Sequence, residues 1–504
     1  MVASTSSPSI WSSAARPRPR PASTSEKSAA SQASSTDDGT PDSPGSGDLR
    51  SRFQHDYDRL LFSTPVRRLA DKTQVWPMDE NDSVRTRLTH SHEVANLARS
   101  IGARVYLKSP GEFERSGIAS DALLNVIQPI LMATGLGHDL GNPPFGHQGE
   151  ATIGRWFENR QDWIFTKSAL NGHELESSQA VPEALRLEFT RFDGNPQALR
   201  LLTRLQTHVD GIGLDLSAAT LAAGLKYPVS FAAADPNNAI RKKGGYFSSE
   251  KDVVDWVREK TGLEEGQRHP LTWIMEACDD IAYSVLDVDD VLKKMVMSPD
   301  DVIVVLQRDL KDDPAVVKLV SRFTDVEQKP LRPDAQRDIK IQYLRATFIE
   351  ALVSHASEEF IRNLRPIFDF SHQLPLMDSS PLCNSLKKIA KRYAFNNPLV
   401  LRTEALGAAA LDGLMSAFWS AISDREKVSD IESRKRSARS SYVFSLISPN
   451  YVQQACTLGT PDSGANGLRY RELRLLTDMI SGMTDTYAMR LWSEIKALPH
   501  VSST

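Results

Sequence analysis

From about residue 49 onward, apolar residues recur along the chain at three- and four-residue spacing. Such spacing places them on one face of an α-helix, so it predicts amphipathic helices with one buried side. The clearest segments are residues 93–101, 121–134, 197–208, 273–294, 344–367, 403–422 and 470–498. Strand signals are short and confined to residues 227–231 and 302–306. The chain is therefore predicted to be all-α, with only minor short strands.

The first 47 residues lack this helical pattern and differ in composition. They contain 14 serines and 6 prolines but few large apolar side chains. Such a segment cannot bury enough apolar surface to offset the entropy lost on ordering, so we expect residues 1–47 to be disordered. The remainder is expected to form a catalytic core over residues 48–297, with a C-terminal helical region over residues 298–504 packed on it.

Charge and cysteine content narrow the class of protein. The 60 basic and 64 acidic residues give a formal net charge of −4, which excludes a protein coated throughout in basic charge for nucleic acid. No run of about 18 uncharged apolar residues occurs, so no membrane span is predicted. Three cysteines, far apart, form neither a disulfide framework nor a zinc-finger spacing, and a reducing, cytoplasmic compartment is expected.

Histidine and aspartate residues provide the strongest chemical signal. His138 and Asp139 are adjacent within the Gly-rich segment 134–147. One imidazole and one carboxylate are too few for a catalytic metal, but His90 lies 48 residues upstream and Asp279 lies far downstream. Two histidines and two aspartates make a mixed nitrogen and oxygen site that suits Mn²⁺, Mg²⁺, Fe²⁺ or Zn²⁺.

Neighbouring residues leave alternatives for two of these ligands. His92 lies near the same helix start as His90 and is the alternative to it. Asp280 points about 100° away from Asp279 on a helix and is the second choice there. A His-Asp dipeptide alone is usually incidental, and the Gly-rich frame around His138 is what favours a metal site.

A second pair, His147 and Glu150, suggests a general acid. The two residues are three positions apart, so on a helix they share one face. The carboxylate would orient the imidazole and raise its pKa, which suits an acid that acts at neutral pH. The alternative interpretation is an ion pair on a helix surface.

Asp279, Tyr283 and Asp287 follow one another at four-residue spacing. On a helix they form one stripe, and unpaired carboxylates are costly to bury in an apolar core. The stripe therefore favours the wall of a site, with one metal ligand and two groups for a polar substrate.

The order His…His-Asp…Asp resembles that of the HD phosphohydrolase superfamily. Longer phrases resemble the deoxyguanosine triphosphate triphosphohydrolase (dGTPase) family, above all Gly-His-Asp-Leu-Gly-Asn-Pro-Pro-Phe-Gly-His at 137–147 and Ala-Cys-Asp-Asp-Ile-Ala-Tyr at 277–283. Further matches run in order from about residue 52 to 492. Asp193, Pro196 and Cys278 stand where the family pattern has Glu, Ala and Ala, and none of these differences removes a reactive group.

The resemblance implies an all-α HD-type fold and a metal-dependent reaction, with Mn²⁺ or Mg²⁺ as the expected ion and Fe²⁺, Zn²⁺ or Co²⁺ as alternatives. A deoxynucleoside triphosphate, with dGTP expected, is cleaved to the deoxynucleoside and tripolyphosphate. Arg87, one helical turn before His90, is a candidate to bind the α-phosphate through its planar guanidinium. Lys226 and Lys243 are candidates for the β- and γ-phosphates, and the alternative for each is a solvated surface lysine. Further substrate contacts are expected at Gln74 and Asp287 (sugar 3′-OH), Tyr283 (sugar ring), Asn195 (nucleobase) and Tyr227.

Family members are usually oligomeric, often hexameric, and some respond to single-stranded DNA or to other nucleotides. Two alternatives to the triphosphohydrolase stay open. One is another HD-type enzyme that acts on a nucleotide monophosphate or a signalling nucleotide, and the other is a non-catalytic nucleotide or single-stranded-DNA sensor. Such sensors usually lose a ligand or the acid, whereas all of these candidate residues are present here.

Overall fold

The computed structural model describes residues 7–17, 48–78, 81, 83–119, 122–169, 171–457 and 467–498. Within these ranges the chain forms helices and no β-strand, with only three isolated β-bridges. The predicted all-α fold is confirmed. The two predicted strands are wrong, since residues 302–306 lie inside a helix and residues 227–231 are irregular and lead into the 3-10 turn Phe231–Ala233.

The helices are labelled in chain order. The first group comprises α1 (Arg52–Leu61), α2 (Thr64–Arg68), α3 (Arg87–Lys108), α4 (Pro110–Arg115), α5 (Gln128–Gly137), α6 (Gly146–Glu158), α7 (Leu187–Thr190), α8 (Gly194–Thr203), α9 (Ala218–Gly224), α10 (Lys251–Thr261) and α11 (Pro270–Lys293). The second comprises α12 (Pro299–Asp309), α13 (Pro314–Glu327), α14 (Pro333–Arg362), α15 (Leu364–Phe368), α16 (Pro381–Ala390), α17 (Pro398–Ser423), α18 (Ala438–Ser445), α19 (Pro449–Thr457), α20 (Leu468–Ser481) and α21 (Asp485–Ala497). Two π-helical turns occur at Leu123–Ile127 and Lys391–Phe395.

Local capping explains where the sequence pattern misplaced element ends. Val302 and its neighbours favour a strand by composition, but Ser298 and Asp301 form a capping box and Pro299 occupies the first turn, so α12 begins there. The predicted helix at 470–498 is two helices, because Thr484 caps the start of α21.

Two apolar clusters form most of the core. In the first, α3 and α5 pack together and α11 packs against α3, α14 and α16. In the second, α17 packs against α6, α18, α20 and α21. A buried charge network also links the two groups of helices: Arg200 of α8 lies 2.7 Å from Asp478 of α20 and 2.8 Å from Glu250, and none of the three side chains is exposed.

One helix, α17, is long and apolar enough to cross a membrane by length and composition alone. Half of its most apolar stretch is buried in the protein. A core helix of a soluble protein passes the same test, so α17 is weak evidence for a membrane span.

Residues 7–17 belong to the segment that was expected to be disordered, but in the structure they lie against the helical body. The side chain of Trp11 is 8% exposed and joins the first apolar cluster, and its indole N–H donates a hydrogen bond of 2.8 Å to Ser116 Oγ. One buried indole and several backbone hydrogen bonds thus order a stretch that is otherwise poor in apolar residues. The other parts of the predicted tail, residues 1–6 and 18–47, lie outside the described residues.

Candidate active site

A cavity of about 420 Å³ opens where α3, α5, α6, α8, α9 and α11 meet the segment 387–395. Most of the predicted site residues line it. They are Gln74, Arg87, His138, Asp139, His147, Glu150, Asn195, Lys226, Tyr227, Lys243, Asp279 and Tyr283. The other two, His90 and Asp287, are buried behind this lining.

His90 lies in the first turn of α3. The helix begins at Arg87 because Thr86 and Thr89 form a reciprocal cap, in which the Thr89 hydroxyl accepts from the Thr86 backbone N–H at 3.1 Å. The side chain of His90 is buried, whereas the alternative candidate His92 is exposed to solvent. The structure therefore brings His90, and not His92, next to His138 and Asp279, just behind the cavity lining.

His90, His138 and Asp279 form a close cluster whose ligand atoms all lie within 4.8 Å of one another. The Nε2 atoms of His90 and His138 lie 3.3 Å and 3.5 Å from the same Asp279 carboxylate oxygen. The alternative carboxylate, Asp280, is directed elsewhere, since its Oδ1 lies 2.8 Å from Lys387 Nζ.

The donors of this cluster fit a divalent cation. His138 Nδ1 lies 2.7 Å from Gly135 O, and when Nδ1–H donates there, the Nε2 lone pair is left for a metal. The Nε2 atoms of His90 and His138 are buried and make no hydrogen bond within the described part of the chain. Burial alone would lower the pKa of His138, but the charge of Asp139 and the contact with Asp279 raise it to about 9. The surroundings thus favour a positive charge at this point.

Asp139, the fourth proposed ligand, borders this group of three. Its Oδ1 accepts a hydrogen bond of 2.6 Å from Asn142 and lies 3.6 Å from His138 Nε2, while its Oδ2 accepts from Arg87. Burial would raise the pKa of Asp139, but the positive charge of Arg87 lowers it to about 2. Asp139 is therefore an ionised carboxylate at the edge of the cluster.

His147 and Glu150 form a hydrogen-bonded pair on the first turn of α6. Nδ1 of His147 lies 2.7 Å from Glu150 Oε2, and Glu150 Oε1 accepts a 2.7 Å hydrogen bond from the backbone N–H of Gly194. The hydrogen bond with Glu150 raises the pKa of His147. The imidazole itself is 83% exposed and the carboxylate only 10%, so Glu150 is fixed and His147 faces the open cavity.

A tight turn places Arg87 beside the start of α6. Phe145 and Gly146 both have left-handed φ values, of 61° and 54°. The left-handed backbone favours glycine at position 146, and a Cβ atom there would lie 2.5 Å from Arg87 Nη2, so the guanidinium would have to move. Arg87 consequently lies between the His-Asp cluster, through Asp139, and the helix that carries His147.

Asp485 holds this turn against the segment that carries Gln74. Its Oδ1 accepts a hydrogen bond of 3.1 Å from the Phe145 backbone N–H, and its Oδ2 accepts one of 3.0 Å from the Thr73 backbone N–H. Asp485 thus supports the site without lining it. No role was predicted for Asp485 from the sequence.

Both lysines expected to bind phosphate line the cavity, and both already face carboxylates. Lys226 Nζ lies 3.6 Å from Glu276 and 3.7 Å from Asp279, and Lys243 donates a hydrogen bond to Asp193. Burial would lower the pKa of Lys226, but the carboxylates of Glu276 and Asp279 raise it above its usual value. A phosphate bound here would have to share these cations with the carboxylates.

The C-terminal region contributes a wall that the sequence did not reveal. The Phe395 ring stacks on Tyr283, with centroids 5.3 Å apart and planes 16° apart, and Lys387 pairs with Asp280. Both Phe395 and Lys387 line the cavity. They come from a part of the chain more than 100 positions from their partners on α11, and no motif marks them.

Asp287 continues the stripe from Asp279 and Tyr283, but it is buried below the cavity surface. Its Oδ2 makes no hydrogen bond among the residues that the structure describes. Burial and the negative charge of Asp290 raise the pKa of Asp287 well above its usual range. Gln74 lines the cavity, and its Oε1 atom is likewise buried and makes no hydrogen bond among the described residues.

The fold and the site together define an all-α protein with a candidate metal cluster and a His–Glu pair at one cavity. No family model matches the chain. The chain is 31% identical over 457 residues to the deoxyguanosinetriphosphate triphosphohydrolase-like protein of Listeria innocua, covering 90% of this chain and 95% of that protein. It is 32% identical over 484 residues to the deoxyguanosinetriphosphate triphosphohydrolase of Serratia proteamaculans (88% and 93%). The same enzyme of Yersinia pseudotuberculosis is 32% identical over 480 residues (86% and 92%). The chain therefore belongs to the deoxyguanosinetriphosphate triphosphohydrolase family, as its motifs predicted.

Proposed function

We propose that this protein hydrolyses deoxynucleoside triphosphates, with dGTP as the expected substrate, to a deoxynucleoside and tripolyphosphate. One observation carries the proposal: the His90–His138–Asp279 cluster and the His147–Glu150 pair converge on one cavity of about 420 Å³. The substrate class is supported by the names of the relatives, which extend over nearly the whole chain.

A divalent cation is proposed to bind His90, His138, Asp139 and Asp279, with Mn²⁺ or Mg²⁺ as the expected ion. The two unpaired imidazole nitrogens and the adjacent carboxylates are ligands that suit these metals and also Fe²⁺, Zn²⁺ or Co²⁺. When bound, the cation supplies Lewis acidity toward a phosphate oxygen and toward water.

His147 is proposed to be the general acid. The reaction breaks the bond between the 5′ oxygen and the α-phosphorus, and the departing 5′ oxygen needs a proton because an alkoxide is a poor leaving group. Since Nδ1 is engaged by Glu150, Nε2 of the protonated ring is the atom that can donate this proton. Glu150 keeps the ring oriented and favours its protonated form.

Arg87 is proposed to bind the α-phosphate, since its guanidinium offers a planar set of donors and already contacts Asp139. Lys226 and Lys243 are proposed to contact the β- and γ-phosphates, and Asn195 and Tyr227 to make further substrate contacts. Gln74 and Asp287 are proposed to bind the sugar 3′-OH, with Tyr283 against the ring. The unpaired buried oxygens of Gln74 and Asp287 support this role, because buried polar atoms normally find a partner.

The test is a product assay on the purified full-length protein. Each of the four deoxynucleoside triphosphates and GTP is supplied separately and in mixtures with Mn²⁺ or Mg²⁺, and the products are resolved by anion exchange. Equal amounts of deoxynucleoside and tripolyphosphate support the proposal, and reaction in ¹⁸O-water should label the tripolyphosphate. Release of pyrophosphate or orthophosphate would contradict it, and nucleotide binding without turnover would favour the sensor.

Assembly, effectors and compartment remain predictions. By family resemblance we propose a homo-oligomer in the cytoplasm, with single-stranded DNA or a nucleotide as its effector. Two exposed leucines near the start of α17, Leu399 and Leu406, share one face of the helix and support a partner surface. Light scattering of the purified protein, with and without oligonucleotide, tests the assembly and the effector.

A further inference from the structure

We propose that residues 9–16 act as a strap that positions the substrate-binding wall of the cavity by fixing the starts of α9 and α11. This inference rests on the proposed function for its kinetic consequence. Its structural basis is independent of it and consists of contacts made by the N-terminal segment.

Backbone carbonyls of the strap complete the start of α9. No side chain caps this helix, and its N-cap residue Ser217 instead bonds through its hydroxyl to Asp56. The backbone N–H of Ala218 donates to Ala14 O at 3.1 Å, and that of Ala219 donates to Ser12 O at 3.0 Å. The first N–H groups of a helix have no partner within it, so the strap satisfies donors that α9 cannot satisfy itself.

The strap also reaches the start of α11 through His269. The imidazole Nδ1 of His269 accepts from the Leu271 backbone N–H at 3.2 Å and so caps α11. Its Nε2 lies 2.9 Å from Ile10 O and donates there in the neutral ring. Trp11 packs edge-on against the same imidazole, with centroids 5.2 Å apart. The strap thus orients the side chain that starts the helix carrying Asp279 and Tyr283.

Anchors at both ends hold the strap in place. Ser9 N–H donates to Lys260 O of α10 at 3.0 Å, and the Trp11 indole is buried against Phe113 and Ser116 near the end of α4. At the other end, Arg16 Nη1 donates to Thr203 O of α8 at 2.9 Å. The segment therefore contacts four elements besides α9.

The two helices fixed by the strap form one wall of the site. Residues 220, 221 and 224 of α9 line the cavity, and Lys226 and Tyr227 follow directly after the helix. Residues 275, 279, 280 and 283 of α11 line it from the adjacent side. The His147–Glu150 pair lies on α6, which the strap does not touch in the hydrogen bonds and ring contacts described above. Loss of the strap should therefore weaken substrate binding while leaving the acid intact.

The test compares Trp11→Ala with Trp11→Phe in the full-length protein, and with Trp163→Ala as a matched control. Trp163 is a partly buried indole that contacts Trp419 in the second apolar cluster, away from the strap. In Trp11→Ala, hydrogen exchange measured by mass spectrometry should accelerate over residues 217–224, and KM for dGTP should rise at least 10-fold. The pH at which kcat falls on the basic side of its pH profile should not change. Trp11→Phe should restore most of both properties.

Two results would overturn this proposal. The first is a hydrogen-exchange rate over residues 217–224 that is unchanged in Trp11→Ala. The second is an equal rise in KM in Trp163→Ala when both variants lose the same thermal stability. The wild-type assay separates this failure from that of the proposed function. If the wild-type protein does not hydrolyse dGTP, the proposed function fails, and the exchange experiment still decides whether the strap holds α9.

Discussion

The Nδ1 atom of His147 lies 2.7 Å from Oε2 of Glu150, one helical turn further along α6. Because Glu150 is itself held by the Gly194 backbone N–H, the carboxylate fixes the imidazole and not the reverse. The pair therefore consists of a buried carboxylate, Glu150, which orients the ring, and an imidazole, His147, which is open to the cavity. This division gives different expectations for variants of the two residues.

Replacing His147 by Ala should lower kcat by about 10²–10⁴-fold, which is the usual contribution of general acid catalysis. Glu150→Ala should cost less, since it disturbs only the orientation and charge of the ring. The double variant should be far from additive because both residues act in one step. Steady-state kinetics at saturating dGTP measure these effects.

Gln148→Ala provides the control for position on α6, as Gln148 lies between the two residues and does not line the cavity. Metal content and substrate KM should stay close to wild type in His147→Ala. Loss of metal in that variant would make His147 a ligand, and a near-normal kcat would eliminate its role as the acid.

The pH dependence of kcat should reveal the effect of Glu150 on His147. The protonated ring is the active form, so activity should fall as the pH rises through the pKa of His147. Glu150 raises this pKa, and Glu150→Gln removes the negative charge. The variant should therefore lose activity at lower pH than the wild type. A basic limb that stays in place, or moves to higher pH, would contradict the assignment.

Metal content should depend on His90 but not on His92. His90→Ala removes a buried nitrogen of the cluster, whereas His92→Ala removes an exposed ring two residues away on the same helix. Mass spectrometry of the metal after dialysis, together with turnover, should show loss of both in His90→Ala and neither in His92→Ala. Asp279→Ala should behave like His90→Ala, and Asp280→Ala should retain metal.

Much of the His90–His138–Asp279 cluster could be predicted from the sequence, because short stretches of the chain mark most of its members. The adjacent His138 and Asp139 and the helical spacing after Asp279 are readable from short stretches, and helices follow from apolar spacing. The choice between His90 and His92 needed the structure, since burial on α3 depends on packing against α5. The ion pairs of Lys226 with Glu276 and Asp279 likewise needed the structure, because they depend on where α9 ends relative to α11.

Contacts between distant segments were not predictable in this way. Phe395 stacks on Tyr283 across more than 100 positions, and neither residue carries a local signal for the other. The burial of Trp11 could not be predicted for a different reason. A lone indole in a Ser- and Pro-rich stretch has too little apolar surface to predict order, and the cavity that accepts it is built by α4 and His269.

Tyr283→Ala should relax the preference for deoxynucleotides. In the proposed binding mode a ribose 2′-OH meets the aromatic wall formed by Tyr283 and Phe395. Steric exclusion of one hydroxyl is worth about 10-fold or more in kcat/KM. The ratio of kcat/KM for dGTP to that for GTP should therefore fall by about 10-fold. Tyr283→Phe keeps the ring and serves as the control, and an unchanged ratio in Tyr283→Ala would place the sugar elsewhere.

His269 gives the protein a pH-dependent stability at the start of α11. Its Nδ1 accepts from Leu271 N–H and its Nε2–H donates to Ile10 O, so the neutral ring satisfies both partners. Burial lowers the pKa of His269 from 6.5 to about 4. Between these values the unfolded chain binds more protons at this site than the folded protein does, so stability is lost as the pH falls through this window.

The expected loss from His269 is about 3 kcal/mol between pH 6.5 and pH 4, at about 1.4 kcal/mol for each unit of pKa difference. His269→Gln offers an acceptor and a donor without a titrating group, so it should remove this part of the pH dependence. The measurement is the urea unfolding midpoint of both proteins at several pH values across the window. The wild-type midpoint should fall further than that of the variant as the pH is lowered, and the difference between them should level off below about pH 4. Parallel curves for the two proteins would mean that His269 is not buried in its neutral form, and that Ile10 does not hold it.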